Sequence, residues 1–278
     1  MDNQWTILSL LKWMEDYFRQ HKIPSPRLDA EILLSYHLDM ERIKLYVQFD
    51  KVLDPEALSR IKELIKRRVR HEPMAYITGS RDFFGLKFMV NENVLIPRPE
   101  TEHLAEEVLK HDLAAKSVLD IGTGSGNLAV TIAKYSPGSS VTAVDISEEA
   151  LETAKGNADR ILGNHGIRFV RSDIYSGIED RFDFIISNPP YIRSQDIPAL
   201  EETVRDFEPV KALDGGEDGL FFYREIIQGA KDHLNPGGRL FLELNSLLKD
   251  KIMAHITANR FELVRIIPDY AGLERVAV

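Results

Sequence analysis

Apolar residues recur at intervals of three and four along the first 75 positions, a spacing that places them on one face of an α-helix. Pro24 and Pro26 separate the first two of these stretches. The recurring positions are Ile7, Leu8, Leu11, Met14, Tyr17 and Phe18, then Ala30, Leu33, Leu34 and Leu38, then Leu58, Ile61, Leu64, Ile65 and Val69. The pattern predicts a small N-terminal helical bundle over residues 1–75.

The hydrophobic period changes to two after this segment. Apolar residues alternate from Phe84 to Val90, Asn91–Asn93 supplies turn-forming residues, and a second apolar run covers Val94–Ile96. This pattern is typical of a β-hairpin, and we expect the hairpin to connect two domains over residues 76–97.

Beyond Ser117, short runs rich in β-branched and aromatic residues alternate with stretches of helical period. The predicted strands are Val118–Ile121, Val141–Asp145, Phe169–Arg171, Phe184–Ser187, Leu240–Leu244 and Leu263–Ile267. The predicted helices are Asn127–Lys134, Glu148–Ile161, Leu220–His233 and Leu247–Ala258. Such alternation predicts an α/β fold for residues 98–278, with a mostly parallel sheet covered by helices on both faces.

Composition narrows the class of protein. The 278 residues include 35 Lys and Arg against 44 Asp and Glu, for a net charge of −9, and no cysteine. The lack of cysteine excludes disulfides, thiolate metal sites and mechanisms with a cysteine nucleophile. The acidic balance argues against stable nucleic-acid binding through bulk charge. The charge is also unevenly distributed along the chain. Residues 1–75 carry 13 basic and 12 acidic side chains, whereas residues 76–278 carry 22 basic and 32 acidic ones.

Targeting and metal-binding signals are missing from the sequence. The N-terminus lacks the layout of a signal peptide, and no run of about 18 apolar residues could span a membrane. We therefore expect a soluble, cytoplasmic protein without a membrane partner. None of the eight histidines lies in a metal-ligand spacing such as H-E-x-x-H, so we expect no metal.

A glycine-rich turn follows the first strand of the α/β region. It consists of Gly122, Thr123, Gly124, Ser125 and Gly126. Its G-x-G-x-G spacing is one residue tighter than the dinucleotide fingerprint, and the helix after it offers free backbone N–H groups. Asp145 ends the next strand, where a carboxylate could accept hydrogen bonds from both ribose hydroxyls. Taken alone, the glycines could equally form a tight turn, but in this order the features favour a nucleoside carrying a small zwitterion, such as S-adenosylmethionine (SAM).

The segment Asn188-Pro189-Pro190-Tyr191 directly follows a short apolar strand, in the place where open α/β sheets bind ligands. Its two prolines make the turn rigid. The Asn188 side-chain oxygen and the Pro189 carbonyl are two acceptors that match the two N–H groups of a substrate –NH2. Tyr191 could lay its ring against a planar amide or base. The segment predicts methyl transfer to an amide or exocyclic amine by direct displacement, with no strong general base.

Longer motifs carry a resemblance to one family. They are Ile96-Pro97-Arg98-Pro99-Glu100-Thr101-Glu102, the glycine loop with Asp120, Asn188–Tyr191, Val204–Pro209, Ala212-Leu213, Gly215-Gly216, Asp218–Leu220 and Tyr223-Arg224. From about Gly79 to its C-terminus the chain resembles the release factor glutamine methyltransferases of the PrmC/HemK type, which also begin with a helical region. The resemblance implies a class I SAM-dependent methyltransferase fold, Rossmann-like with a mostly parallel seven-stranded sheet. It further implies methylation of the glutamine amide in the Gly-Gly-Gln motif of class-1 peptide chain release factors, with S-adenosylhomocysteine as the product of SAM.

The same resemblance assigns roles to individual residues. It places the glycine loop at the methionine part of SAM, Asp145 at the ribose, and Asp173 with Ile174 at the adenine. The residues expected at SAM are thus Gly122, Thr123, Gly124, Ser125, Gly126, Asp145, Asp173, Ile174 and Asn188. Those expected at the substrate are Asn188, Pro189, Pro190 and Tyr191, of which Asn188, Pro189 and Tyr191 are the catalytic candidates. Ile174 and Asn245 depart from the family pattern, which often has an aromatic residue and a glycine at these positions.

Several alternatives remain open at this point. The substrate could be an adenine amino group in DNA or RNA, because enzymes that methylate such amines share Asn-Pro-Pro-Tyr, or a glutamine of a ribosomal protein. A non-enzymatic SAM-binding or scaffold protein is a third alternative. We expect the near-neutral bundle to dock the partner protein. A solvated helix face is nevertheless the commoner meaning of a basic run such as Lys62, Lys66, Arg67, Arg68 and Arg70.

Overall fold

A computed structural model describes residues 4–164 and 166–278. The chain divides into two compact units, one formed by Met1–Gly79 with Glu202–Phe207 and the other by Ser80–Glu201 with Glu208–Val278. In the described ranges, no helix combines the length and the apolar character that crossing a membrane requires.

The first unit is built from α-helices, as the apolar period predicts. Its helices before the hairpin are α1 (Ile7–Gln20), α2 (Pro26–His37), α3 (Arg42–Val47), α4 (Pro55–Val69) and α5 (Met74–Thr78). Ile7, Leu11, Met14 and Phe18 are buried along α1, so the predicted face is the one that packs. The short helix α5 lies beyond the predicted helices.

The basic run on α4 is only partly a solvated face. Arg68 is buried, its Nε lies 2.7 Å from Asp29 Oδ2 on α2, and it also donates to the Glu72 carbonyl at 3.1 Å. Arg67 pairs with the Glu72 carboxylate. The prediction of a solvated face is therefore wrong for Arg68, because the partner that neutralises it lies 39 residues away in the sequence.

The second unit contains a hairpin and a seven-stranded sheet. Its strands are β1 (Ser80–Phe83), β2 (Leu86–Met89), β3 (Ser117–Ile121), β4 (Ser140–Asp145), β5 (Arg168–Arg171), β6 (Phe182–Ser187), β7 (Leu234–Glu243), β8 (Ile266–Pro268) and β9 (Glu274–Ala277). The remaining helices are α6 (Glu102–Leu109), α7 (Asn127–Tyr135), α8 (Glu148–Leu162), α9 (Glu202–Arg205), α10 (Phe221–His233) and α11 (Lys249–Ala258). Of these, α9 belongs to the first unit.

The order of the large sheet is β5-β4-β3-β6-β7-β9-β8. Strands β3 to β7 are mutually parallel, whereas β9 is antiparallel to both β7 and β8. The predicted α/β class and mostly parallel seven-stranded sheet are confirmed. The chain runs outward from β3 to β4 and β5 and then crosses to β6 on the other side of β3, so the strand order reverses between β3 and β6. The carboxyl ends of β3, β4 and β6 therefore border the crevice where ligands bind in such sheets.

Side chains alternate between the two faces of β3 and enter two separate hydrophobic clusters. Val118 packs in one cluster with Leu128 of α7, and Leu119 packs in the other with Tyr223 and Ile227 of α10. Helices thus cover both faces, which explains why β3 and β6 read as continuous apolar runs in the sequence.

The hairpin lies several residues earlier than the alternation suggests. Strands β1 and β2 pair from Ser80 with Met89 to Phe83 with Leu86, and the turn is Phe84-Gly85. Both turn residues have positive φ, 50° and 73°, as a two-residue turn requires. The expected second arm, Val94–Ile96, is not a strand, because the Ile96 amide donates to the Glu208 carboxylate instead of to a neighbouring strand.

The C-terminal strands also differ from the prediction. The expected strand Leu263–Ile267 is found as Ile266–Pro268, and Leu263 is exposed. The sequence reasoning did not find β9 (Glu274–Ala277), which is only four residues long and begins with two charged residues. It became a strand because it pairs with both β7 and β8.

Candidate active site

Backbone hydrogen bonds tie the glycine loop to the end of β4. The amides of Gly122 and Thr123 both donate to the Val144 carbonyl at 2.9 Å. The amide of Gly124 donates to Asp145 Oδ2 at 2.9 Å. The loop and the strand-end carboxylate that the sequence assigns to one ligand are therefore in direct contact.

The three loop positions require glycine for two different structural reasons. Gly122 and Gly124 have φ of 72° and 54°, and no atom lies within 4 Å of the place a Cβ would take. Their side of the loop is thus open, as a backbone cradle for a ligand must be. Gly126 has φ of 79°, and a Cβ there would lie 3.0 Å from Ala154 Cβ on α8, so this glycine permits close packing of α8.

A buried carboxylate supports the loop from below. Asp120 Oδ2 accepts hydrogen bonds from the Thr123 hydroxyl at 2.6 Å and from the Ala129 amide at 3.2 Å. Asp120 Oδ1 has no hydrogen-bond partner among the described residues. Burial raises the pKa of Asp120 to about 7, although the bond from Thr123 favours the ionised form.

Asp145 has capacity left for a ligand. Its Oδ1 accepts from the Ser147 amide at 3.0 Å and its Oδ2 from Gly124, and a carboxylate offers about four lone-pair directions. Burial raises its pKa, opposed by backbone hydrogen bonds from Ser147, Gly124 and Ile146. Two further hydroxyl donors are compatible with this arrangement.

The turn after β5 reaches the same place. The Ser172 amide donates to the Asp145 carbonyl at 3.0 Å, and the Ser172 hydroxyl to the Ile174 carbonyl at 2.9 Å. Ile174 has φ of 52°, an unusual conformation for a β-branched residue. Asp173 is exposed and Ile174 half-buried, so both predicted adenine-site residues stand beside the β4 end.

The Asn-Pro-Pro-Tyr turn begins at the end of β6, next to β3. The Ser187 hydroxyl donates to the Ile121 carbonyl at 2.8 Å, which joins the two strand ends. Asn188 Nδ2 donates to the Thr101 hydroxyl oxygen at 3.0 Å. Within residues 4–164 and 166–278, no donor is recorded for Asn188 Oδ1, so this oxygen remains available as an acceptor.

A second loop supports the turn from behind. The Ile192 amide donates to the Leu213 carbonyl at 3.0 Å, and the Gly215 amide to the Ile192 carbonyl at 2.7 Å. A Cβ on Gly215 would lie 2.7 Å from Tyr191 Cα, and one on Gly219 would lie 2.6 Å from the Tyr191 carbonyl oxygen. Only glycine fits these two positions without backbone movement.

One cavity unites part of the predicted site. It is lined by Leu95, Pro97, Arg98, Thr101, Gly122, Thr123, Gly124, Ser125, Asn127, Leu128 and Asn188. The glycine loop and Asn188 therefore share a wall. Asp145, Asp173, Ile174, Pro189, Pro190 and Tyr191 are not among the described residues that line it. Tyr191 instead packs in the cluster around Tyr223, where burial raises its pKa to about 12 and the nearby Glu243 carboxylate adds to the effect.

Neither Thr101 nor Arg98 is among the site residues expected from the sequence. Arg98 Nη2 lies 2.6 Å from Glu208 Oε1, and the Glu208 side chain is almost fully buried. Arg98 thus anchors the segment that carries Thr101. The signal for both residues was the Ile96–Glu102 motif, which contains them without indicating their partners.

The structure gives Asn245 a local role that explains its departure from the family pattern. Asn245 Oδ1 accepts a hydrogen bond from the Leu247 amide at 2.9 Å and so caps the helical turn Ser246–Leu248. The φ of Asn245 is −78°, a value that does not require glycine.

Among the described residues, no group of three or more His, Asp or Glu is arranged to hold a metal ion.

Two family models match parts of this chain. Residues 9–79 match the family model of the PrmC N-terminal domain, and residues 99–206 match that of the methyltransferase small domain. Among solved structures, a methyltransferase from Pyrococcus furiosus is 23% identical, with 80% of this chain and 96% of that chain covered and a TM-score of 0.53. The hMettl16 catalytic domain is 17% identical, with 82% and 84% covered and a TM-score of 0.54. At these identities the two structures show the fold alone.

Sequence relatives cover the whole chain. A release factor glutamine methyltransferase from Rhodopirellula baltica is 42% identical over 99% of this chain and 96% of its own length. One from Geobacter sulfurreducens is 42% identical over 98% of this chain and 95% of its own length. At this identity and coverage, the chain belongs to the release factor glutamine methyltransferase family.

Proposed function

We propose that this protein methylates the side-chain amide nitrogen of the glutamine in the Gly-Gly-Gln motif of class-1 peptide chain release factors, with SAM as methyl donor. The names of its relatives support the substrate class. The observation that carries the proposal is the Asn188 side chain. Its Nδ2 is engaged by Thr101, and its Oδ1 is available at a cavity that the glycine loop also lines.

The residues present fit SAM. Gly122 and Gly124 leave an open backbone cradle, and Asp145 retains acceptor capacity for the ribose hydroxyls. In our proposal the adenine contacts Asp173 and Ile174, which follow the Ser172 amide bonded to the end of β4. Ile174 offers apolar packing where an aromatic residue would stack. When bound, SAM supplies an electrophilic methyl carbon attached to a sulfonium.

Asn188 and Pro189 act on the substrate amide. The lone pair of an amide nitrogen is delocalised, so its nucleophilicity depends on orientation and on pyramidalisation of the nitrogen. Asn188 Oδ1 and the Pro189 carbonyl can accept both N–H hydrogens and so direct the nitrogen toward the methyl group. Pro189 and Pro190 restrict the backbone that carries these acceptors. Positioning of this kind supplies most of the rate enhancement in our proposal.

We further propose that the helical unit docks the release factor. Its residues 9–79 match the PrmC N-terminal domain. Several apolar side chains on and after α3 are exposed, namely Ile43, Tyr46, Val47, Phe49 and Val52. An apolar surface of this kind is typical of a protein–protein contact.

The test is incubation of the protein with labelled SAM and an intact release factor, followed by mass spectrometry of the Gly-Gly-Gln peptide. We expect label on the glutamine side chain, and a lower KM for the intact factor than for the excised peptide. A factor whose glutamine is replaced by glutamate is the matched control and should remain unlabelled. Label on duplex DNA, RNA or a ribosomal protein, but not on the factor, would contradict the proposal.

A further inference from the structure

We propose that Thr101 and Glu243 are positioning residues that set the orientation of the Asn188 side-chain amide. The inference rests on the proposed function, in which Asn188 must present its oxygen to the substrate. An asparagine amide can present either its oxygen or its NH2 group to the same place. Something in the protein must therefore choose between the two orientations.

Thr101 makes this choice through the single proton of its hydroxyl. The Thr101 oxygen accepts from Asn188 Nδ2 at 3.0 Å, and Thr101 lies close enough to the Glu243 carboxylate for its hydroxyl to lower the pKa of that group. A hydroxyl has one proton to donate. When that proton goes to the Glu243 carboxylate, the Thr101 oxygen can only accept from Asn188, which turns Asn188 Oδ1 toward the cavity.

Glu243 is built into the fold as the end of this chain of hydrogen bonds. It ends β7 and is 2% exposed, as is Thr101. One of its carboxylate oxygens, Oε2, has no hydrogen-bond partner among the described residues. A buried ionisable group with an unpaired oxygen is costly for stability alone, so a role beyond packing accounts for it better.

Protonation of Glu243 would reverse the direction of the hydrogen bonds that join Glu243, Thr101 and Asn188. A neutral Glu243 can donate to the Thr101 oxygen, which frees the Thr101 proton for Asn188 Oδ1 and turns the Asn188 NH2 group toward the substrate. The Asn188 NH2 group and the substrate NH2 group, both hydrogen-bond donors, would then face each other. Burial raises the pKa of Glu243 to about 7, opposed by the Thr101 hydrogen bond.

Three charged side chains and two buried tyrosines face Glu243. Arg275 and Arg98 favour its ionised form and Glu100 opposes it. Its charge in turn raises the pKa values of Tyr191 and Tyr223, whose own burial is the larger cause. The orientation of Asn188 should therefore be lost on the acid side of neutrality.

The first experiment compares two variants of Thr101 with a matched control. Thr101→Val keeps the shape but removes the hydroxyl, and we expect kcat to fall on the order of 100-fold with SAM affinity retained. Thr101→Ser restores the hydroxyl and should recover most of the rate. The control is Thr131→Val, since Thr131 is also fully buried but its hydroxyl has no partner among the described residues. Its kcat should match wild type.

The second experiment is the pH profile of kcat. Wild type should lose rate on the acid side of about pH 7, where Glu243 takes up its proton. Glu243→Gln cannot titrate, so this acid limb should disappear. Glu107→Gln is the control, because Glu107 is another buried carboxylate but pairs with Lys110 and Arg265. It should retain the limb.

A readout without turnover uses the side-chain NH2 resonances of Asn188 in a nitrogen–proton correlation spectrum. They should shift with pH around neutrality in wild type and remain constant in Glu243→Gln. Any of three results would overturn the inference. They are a wild-type kcat in Thr101→Val, a kcat in Thr101→Ser as low as in Thr101→Val, and an acid limb that persists in Glu243→Gln. Absence of methyl transfer in wild type itself would instead overturn the proposed function.

Discussion

The ends of β3 and β7 each carry a buried carboxylate with a pKa raised to about 7 by burial and with one oxygen unpartnered in the described structure. Each acts through a threonine hydroxyl, Thr123 for Asp120 and Thr101 for Glu243. The difference lies in what the threonine holds. Asp120 supports a backbone loop, whereas Glu243 supports a side chain, Asn188, through Thr101.

This difference separates binding from chemistry. A backbone loop presents fixed N–H groups and an open surface, which suits recognition of a ligand's shape and charge. A side-chain amide can turn by half a rotation and exchange donor for acceptor, so it needs a group that holds its orientation. We therefore expect substitutions near β3 to act on SAM affinity and stability, and those around Asn188 to act on kcat.

The largest expected effect is that of Asn188→Ala. Loss of the Oδ1 acceptor should lower kcat on the order of 1,000-fold, because an interaction that orients the reacting nitrogen is removed. SAM affinity, measured by calorimetry, should change by less than about threefold, since the glycine loop and Asp145 are unaltered.

Asp145→Ala is the corresponding substitution in the SAM-binding part of the site. It should raise the Kd of SAM on the order of tenfold or more, while kcat at saturating SAM falls far less. An Asn188→Ala enzyme with wild-type turnover, or the same pattern of losses in both variants, would remove the distinction between residues for binding and residues for chemistry.

The next effect concerns stability and pH. A carboxyl with a raised pKa in the folded protein contributes stability that is fully present below its unfolded pKa, near 4, and is lost as pH rises through about 7. Asp120→Asn should therefore remove a decline of a few kcal/mol between about pH 4 and pH 7, since one pKa unit corresponds to about 1.4 kcal/mol.

The measurement is urea unfolding of wild type and Asp120→Asn across this pH range. Glu243→Gln should flatten the curve in the same direction, because burial raises that pKa as well. The two substitutions would then have similar effects on the pH dependence of stability but different effects on kcat, because only Glu243→Gln removes the acid limb of its pH profile. A wild-type decline that persists in Asp120→Asn would show that Asp120 is not its source.

The smallest effect distinguishes two glycines within one loop. Gly126→Ala should cost about 2–4 kcal/mol, because positive φ strains alanine by about 1–2 kcal/mol and its Cβ would lie 3.0 Å from Ala154 Cβ. Gly124→Ala should cost only about 1–2 kcal/mol, since its Cβ meets open space. That same Cβ projects into the cradle, so Gly124→Ala should weaken SAM binding more.

Chemical denaturation and calorimetry on both variants provide the test. Equal losses of stability would show that contact with α8 is not what distinguishes Gly126. Unchanged SAM affinity in Gly124→Ala would place the ligand elsewhere than in the open side of the loop.

Much of this architecture was predictable because it depends on local patterns. The helices around α7, α8 and α10 and the strands β3, β4 and β6 all appear within a few residues of their predicted positions. Long apolar or periodic segments leave little freedom in how they bury their surface. The short strand β9 was not predictable, because it pairs with β7, which lies far earlier in the chain. The hairpin was displaced because its turn places Phe84, a bulky residue, at positive φ, which the sequence pattern does not signal.

The sequence by itself determined the family motifs, the order of strands and helices, and the chemical types available for the site. Only the tertiary structure decided that Asn188 meets Thr101, 87 residues earlier, and that Thr101 in turn meets Glu243. The physical reason is that a hydrogen bond depends on the position and direction of two groups, and positions so far apart in the chain are set by the packing of the whole sheet. The absence of cysteine excludes a cysteine nucleophile, and the direct displacement that we propose depends on the orientation that the fold supplies.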